Sequence, residues 1–327
     1  MIIMNADKDG VLVTGALGQI GSELTPYLKE IHGKEKVLAT DIKSPEPDYD
    51  DAYEAVNILD KERMEKIVSE YGIGTVYHLA AILSANGEKN PDLAWKVNVD
   101  GLHILLDIAK KTELKIFVPS SIAAFGPETP RQMTPQDTVM KPTTMYGITK
   151  VVGELLGSYY HEKFGVDVRG VRFPGIISNV ALPGGGTTDY AVEIFFGAIK
   201  YKRYSCYLRA DTSLDMMYMP DAIHSMIELM EADPSRLVHR NAYNITAMSF
   251  TPEILAEEIR RHIPEFEIDY EVDPARQKIA DAWPDSMDDS AAREEWGWDP
   301  RYDLETMVAD MIEKVGDKIS RLAEKKY

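Results

Sequence analysis

From Val13 to Gly21 the chain reads V-T-G-A-L-G-Q-I-G, with glycines at 15, 18 and 21 directly after the apolar run G-V-L-V. A strand that ends there has to turn sharply into a helix. Gly15 permits the tight turn, Gly18 lets backbone approach a pyrophosphate, and Gly21 allows close packing of helix on sheet. Gln19 and Ile20 complete the turn. The helix mouth supplies free N–H groups and the positive end of a dipole. An ordinary glycine-rich turn has the same letters; the position between strand and helix favours a dinucleotide site.

The alternation continues downstream. K-V-L-A-T-D, G-T-V-Y-H-L-A-A, K-I-F-V-P-S-S and V-D-V-R-G-V-R-F-P-G-I-I-S read as strands. Between them, stretches such as D-K-E-R-M-E-K-I-V-S-E-Y-G and the long P-D-L-A-W…A-K-K-T read as helices. Short apolar strands alternating with helices predict parallel βαβ units and a doubly wound α/β sheet of Rossmann type. After about residue 175 the rhythm breaks. The Gly-rich A-L-P-G-G-G-T-T-D-Y feeds an amphipathic helix, D-M-M-Y-M-P reads as a loop entering another helix, and the C-terminal tail is helical. The expected division is a cofactor-binding unit of residues 1–175 plus about 212–246. The remainder, about 176–211 plus 247–327, forms a smaller, discontinuous α/β substrate lobe.

Composition narrows the partners. With 327 residues and a formal net charge of -18, the surface repels phosphate backbones and anionic lipid. Neither nucleic acid nor a membrane is expected as a partner. No signal peptide and no apolar run long enough to span a bilayer are read. Cys206 is the single cysteine, so no intrachain disulfide or thiolate cluster can form. Cytoplasm is the expected setting.

Several residues carry candidate chemistry. Asp41 ends the second strand, where a carboxylate accepts both adenosine ribose hydroxyls and repels a 2'-phosphate. It favours NAD over NADP, although Lys43 stands nearby. Leu79, Ala80 and Ala81 end the third strand with little bulk, leaving room for a cofactor. Asn98 falls inside a helix, where Asn is unfavourable, so a structural or site role is expected. Ser120 and Ser121 end the fourth strand and face the ligand crevice.

Tyr-x-x-x-Lys then occurs twice in one helix, as Tyr146 with Lys150 and as Tyr159 with Lys163. Each pair lies roughly 40° apart on a helix, hence on one face. Tyr146 and Lys150 share a face with Gly153 and Gly157 at the helix start, next to the crevice. Tyr159 falls among Ile148, Val152, Leu155 and Leu156, so it reads as core or interface packing, with Lys163 reaching for solvent.

Together these residues resemble the extended short-chain dehydrogenase/reductase family over the first 175 residues or so. The resemblance rests on T-G-x-x-G-x-x-G, Asp41, H-L-A-A, the strand-end serines and Tyr146-x-x-x-Lys150. It implies a catalytic Ser at a fixed separation before the Tyr, which reaches Ser121 rather than Ser120. In the second half, P-G-G-G-T-T-D-Y-A-V-E-I-F, D-M-M-Y-M-P-D-A-I and I-A-D-A-W-P-D-S-M-D-D resemble the family's short-chain type of L-threonine 3-dehydrogenases. That resemblance implies Ser84, Gly186, Thr187 or Thr188, and Trp283 around the substrate. On their residues alone, Gly184 to Gly186 suit a carboxylate but equally a flexible linker, and Trp283 suits an apolar wall or a packing anchor.

The expected reaction is NAD-dependent oxidation of the L-threonine 3-hydroxyl. Tyr146 is the base, its pKa lowered by Lys150 and the nicotinamide charge. Ser121 orients the substrate oxygen, and no metal takes part. A homodimer is implied by the resemblance. One rival is a nucleotide-sugar epimerase or dehydratase. Ile122 and Ala123 stand where dehydratases of the family carry an acidic pair. The other is an NAD-sensing regulator without turnover, which typically lacks the Tyr or the Lys.

Overall fold

In a computed structural model, residues 8–45, 49, 51–180 and 186–324 are described. The β-branched run folds as β1 (Gly10–Thr14), buried along its whole length, and the glycine turn leads into α1 (Gly21–His32). There follow β2 (Val37–Asp41), β3 (Tyr53–Ala55), α2 (Lys61–Glu70), β4 (Ile73–His78), α3 (Ser84–Lys89) and α4 (Pro91–Trp95). A π-helical turn, Lys96–Asp100, joins α4 to α5 (Gly101–Thr112). Then come β5 (Lys115–Phe117), β6 (Ser120–Ser121), α6 (Met145–Phe164) and β7 (Asp167–Arg169).

Six strands pair in parallel in the order β3-β2-β1-β4-β5-β7. The chain reverses its winding direction between β1 and β4, so the crevice outside their carboxyl ends is the expected ligand site of a doubly wound sheet. Both faces are covered. Leu24, Leu28 and the later helix residues Met226 and Met230 pack one face. Met64, Ile67, Leu105 and Ile108 pack the other.

The second half supplies β8 (Val171–Phe173), β9 (Gly175–Ile177), α7 (Tyr190–Tyr201), β10 (Arg203–Cys206), β11 (Leu214–Tyr218) and α8 (Met219–Glu231). It ends with β12 (Tyr243–Asn244), β13 (Met248–Phe250), α9 (Pro252–His262), β14 (Glu267–Tyr270), α10 (Pro274–Ala280), α11 (Ser290–Trp296) and α12 (Leu304–Glu324). Thr251 caps α9 by accepting the Ile254 N–H, with Pro252 at the first position. Two expectations change. D-M-M-Y is strand β11, parallel to β9 and antiparallel to β13, rather than a loop. V-D-V-R-G-V-R-F-P-G-I-I-S is three short strands with separate partners. A third core forms from α7, α9, α12 and β11, with Phe195, Leu255 and Met311 buried in it.

Candidate active site

The glycine turn is built as its spacing requires. Gly15 takes φ +70, and a Cβ there would stand 2.7 Å from the Ala80 backbone N. A Cβ on Gly21 would meet the Gly15 carbonyl oxygen at 2.4 Å, so α1 packs against the turn itself. Ile20 at the N-cap brings no side-chain cap, which leaves the helix mouth to a ligand with acceptor oxygens. Gly15, Gly18, Gln19, Ile20 and Gly21 all line one cleft, of about 230 Å³. Gly15, Gly18, Leu79 and Ala81 also border a second, of about 430 Å³, that contains Asp41 and Ala80.

Asp41 takes two backbone donors: Leu17 N–H reaches Oδ2 at 3.1 Å and Lys43 N–H reaches Oδ1 at 3.2 Å. A carboxylate has about four acceptor sites, so it retains capacity for ribose hydroxyls. Glycine cradle, bare helix mouth and strand-end carboxylate fit an NAD-type dinucleotide.

The strand-end serines are separated by geometry. Ser120 is buried and donates to Glu154 Oε1 at 2.5 Å. Ser121 lines the 230 Å³ cleft together with Tyr146, and its hydroxyl accepts the Ala123 N–H at 3.2 Å. Thr144 caps α6 by accepting the Gly147 N–H at 3.1 Å, which sets Tyr146 in the first turn facing β6. Lys150, one turn on, donates to the Pro119 carbonyl at 2.6 Å. Burial pushes the Tyr146 phenol up to about 12, with Ser121 opposing, and pulls the Lys150 ammonium down to about 8, with Glu154 opposing. The expected lowering of the phenol by Lys150 is not found in the protein alone: burial raises it, and Ser121 is the group that opposes.

The second Tyr-Lys pair is elsewhere. Tyr159 is 53% exposed, so it is not core of this chain, and Lys163 is exposed as expected. The neighbouring Tyr160 is the buried one, and its hydroxyl donates to Asp107 at 2.7 Å.

Asn98 lies in the π turn, buried, with its amide engaged by protein groups. It donates to Ile82 O (3.0 Å) and Thr149 Oγ1 (3.0 Å) and accepts from Ile82 N–H (2.8 Å). It clamps the segment between β4 and Ser84. Ser84, Gly186, Thr187, Thr188 and Trp283 line the same cleft as Ser121 and Tyr146. Gly184 and Gly185 lie outside the described residues. No cluster of three His, Cys, Asp or Glu suited to a metal occurs among the described residues, and no helix among them is long and apolar enough to cross a membrane.

Two groups went unread. His78 pairs through Nδ1 with Thr14 Oγ1 at 2.9 Å, and burial lowers its pKa to about 3. Glu154 and Arg172 form a buried two-pronged ion pair (both N···O 2.9 Å) behind Ser120. The recurrence Tyr146, Lys150, Glu154 at successive i+4 positions was the available signal.

Residues 11–246 match the description of the NAD dependent epimerase/dehydratase family. An uncharacterized epimerase/dehydratase of Staphylococcus haemolyticus (strain JCSC1435) is 54% identical over 311 residues, covering 94% of this chain and 98% of its own. A solved L-threonine dehydrogenase from Clostridium difficile superposes with TM-score 0.93 at 53% identity, covering 95% of this chain and 98% of its own. The holo form of a GalE-like L-threonine dehydrogenase from Cupriavidus necator does so with TM-score 0.91 at 50% identity, covering 94% and 99%.

Proposed function

The chain belongs to the NAD dependent epimerase/dehydratase family, the extended short-chain dehydrogenases/reductases, and we propose that within it the protein is an L-threonine 3-dehydrogenase. It is an NAD-dependent oxidoreductase; the substrate, the product and the residue roles are our reading. The observation that carries it is that Ser121, Tyr146 and Lys150 line one cleft with Ser84, Thr187, Thr188 and Trp283.

Tyr146 accepts the proton of the threonine 3-hydroxyl, and Ser121 orients that oxygen. NAD+, when bound, supplies the acceptor for the hydride leaving C3, and the product is 2-amino-3-oxobutyrate. Gly15, Gly18, Gln19, Ile20 and Gly21 hold the pyrophosphate, with Leu79, Ala80 and Ala81 lining the cofactor cleft. Asp41 takes the adenosine ribose and Lys150 the nicotinamide ribose. Asn98 contributes by holding the Ile82 backbone. Gly186 with Thr187 or Thr188 receives the carboxylate end of the substrate, and Trp283 walls the site. Residues 1–175 with 212–246 serve the cofactor, and 176–211 with 247–327 serve the substrate. The expected setting is the cytoplasm.

Among the described residues Lys150 is the single Lys or Arg lining the 230 Å³ cleft, which weighs against a nucleoside-diphosphate sugar with its second pyrophosphate. The test is NADH formation with L-threonine, L-serine and L-allo-threonine, beside product analysis of UDP-sugars, whose epimerisation or dehydration forms no net NADH. Activity on a UDP-sugar and on neither threonine isomer would overturn the proposal.

A further inference from the structure

Tyr207 follows β10 directly and lies outside the lining of the cleft, yet both walls of the substrate region are attached to it. Its hydroxyl accepts the N–H of Tyr190, the first residue of α7, at 2.7 Å. First-turn N–H groups have no intrahelical acceptor, so the phenol acts as the missing cap. The same hydroxyl stands 3.3 Å from the Thr187 carbonyl oxygen and 3.5 Å from that of Gly186, so its one hydrogen is directed into the loop. Asp189 closes the loop from inside, its Oδ2 accepting the Gly186 N–H at 2.6 Å.

The other wall hangs on the same residue. The Tyr207 carbonyl accepts the N–H of Asp273 at 2.9 Å. Asp273 is the N-cap of α10, its carboxylate accepting from Ala275 and Arg276. The Arg276 guanidinium lies 4.1 Å from the centroid of the Tyr207 ring. From the end of α10, the Ala280 carbonyl accepts the Trp283 N–H at 3.1 Å. Thr187 and Trp283 are about a hundred residues apart in sequence, and Tyr207 fixes the spacing between them in the fold.

We propose that Tyr207 is a positioning residue of the substrate pocket: its hydroxyl holds the Gly186–Thr188 loop in register with the Trp283 wall and so sets the affinity for the amino-acid substrate. The identity of that substrate rests on the L-threonine reading above; the geometry does not.

Tyr207→Phe removes the hydroxyl and keeps a ring beside Arg276. In steady-state kinetics KM for L-threonine rises about tenfold, the effect of one hydrogen bond, while KM for NAD and kcat stay within about twofold. General loosening of the fold would move both KM values together, and that result overturns the inference, as does an unchanged KM for L-threonine. Hydrogen–deuterium exchange of residues 186–192 gives a readout independent of turnover. It speeds up in Tyr207→Phe while β1 stays protected, and unchanged exchange overturns the inference. If the wild-type protein does not oxidise L-threonine, the substrate reading falls and the exchange measurement alone decides the role of Tyr207.

Discussion

The Lys150 ammonium lies 5.3 Å from the centroid of the Tyr146 ring, one turn further along α6. At that range a cation favours the phenolate, but both groups are buried, and burial drives each towards its neutral form. The phenol is pushed up to about 12 and the ammonium down to about 8. The pair is therefore arranged to change when a further positive charge enters the cleft.

Tyr146→Phe removes the proposed proton acceptor and should lower kcat by about a thousandfold, within the usual range for a general base. Tyr159→Phe, on the exposed face, should stay within about twofold. Steady-state assays of the two variants decide between the copies; similar losses in both would end the assignment to Tyr146.

Much of this was legible because it is local. The glycine triad, the strand-end Asp41 and the phase separating Tyr146 from Tyr159 are all encoded within a few residues. The short elements α10, β10 and β13 were not, since each is stabilised by partners distant in sequence rather than by its own periodicity. D-M-M-Y read as a loop because a strand buried on both faces shows no alternation. The hydrogen-bonding partner of Asn98, the backbone of Ile82, likewise has no signature in the sequence.

The exposed apolar stripe on α6 bears on the oligomeric state. Ile148, Leu155 and Tyr159 are 39, 62 and 53% exposed on one face of the helix, and an exposed apolar stripe of this kind marks an interaction site. The homodimer implied by the family resemblance would bury it. Leu155→Lys should then convert a dimer to a folded monomer in light scattering. A monomeric wild-type protein would remove this expectation.

Acid stability should report on His78. Its folded pKa of about 3 lies below the ordinary 6.5, because burial and the Lys150 charge disfavour the imidazolium. Between those values the unfolded chain binds more protons, so stability falls as pH drops from about 6.5 towards 3. His78→Asn keeps a polar group near Thr14 and cannot charge. Its urea midpoint should therefore vary less over that window than that of the wild type. Parallel pH profiles would mean that other groups control the acid transition.

The Glu154–Arg172 pair should be strongly coupled. Arg172 donates through Nε and Nη2 to the two Glu154 oxygens, and through Nη1 to Gln136 O (2.8 Å) and Asn244 Oδ1 (3.0 Å). Glu154 also receives Ser120, the neighbour of Ser121. Removing one member leaves a buried charge without its partner, which costs about 3–5 kcal/mol. Glu154→Leu and Arg172→Met should each destabilise by that amount in urea titrations. The double variant should be more stable than either, because an apolar pair of similar volume carries no buried charge. It would not recover fully, since Ser120, Gln136 and Asn244 lose partners. Single variants destabilised by less than about 1 kcal/mol, the range of an exposed pair, would contradict the burial of this ion pair. Recovery of stability without recovery of kcat in the double variant would separate two roles: holding β6 to α6, and orienting Ser121 towards Tyr146.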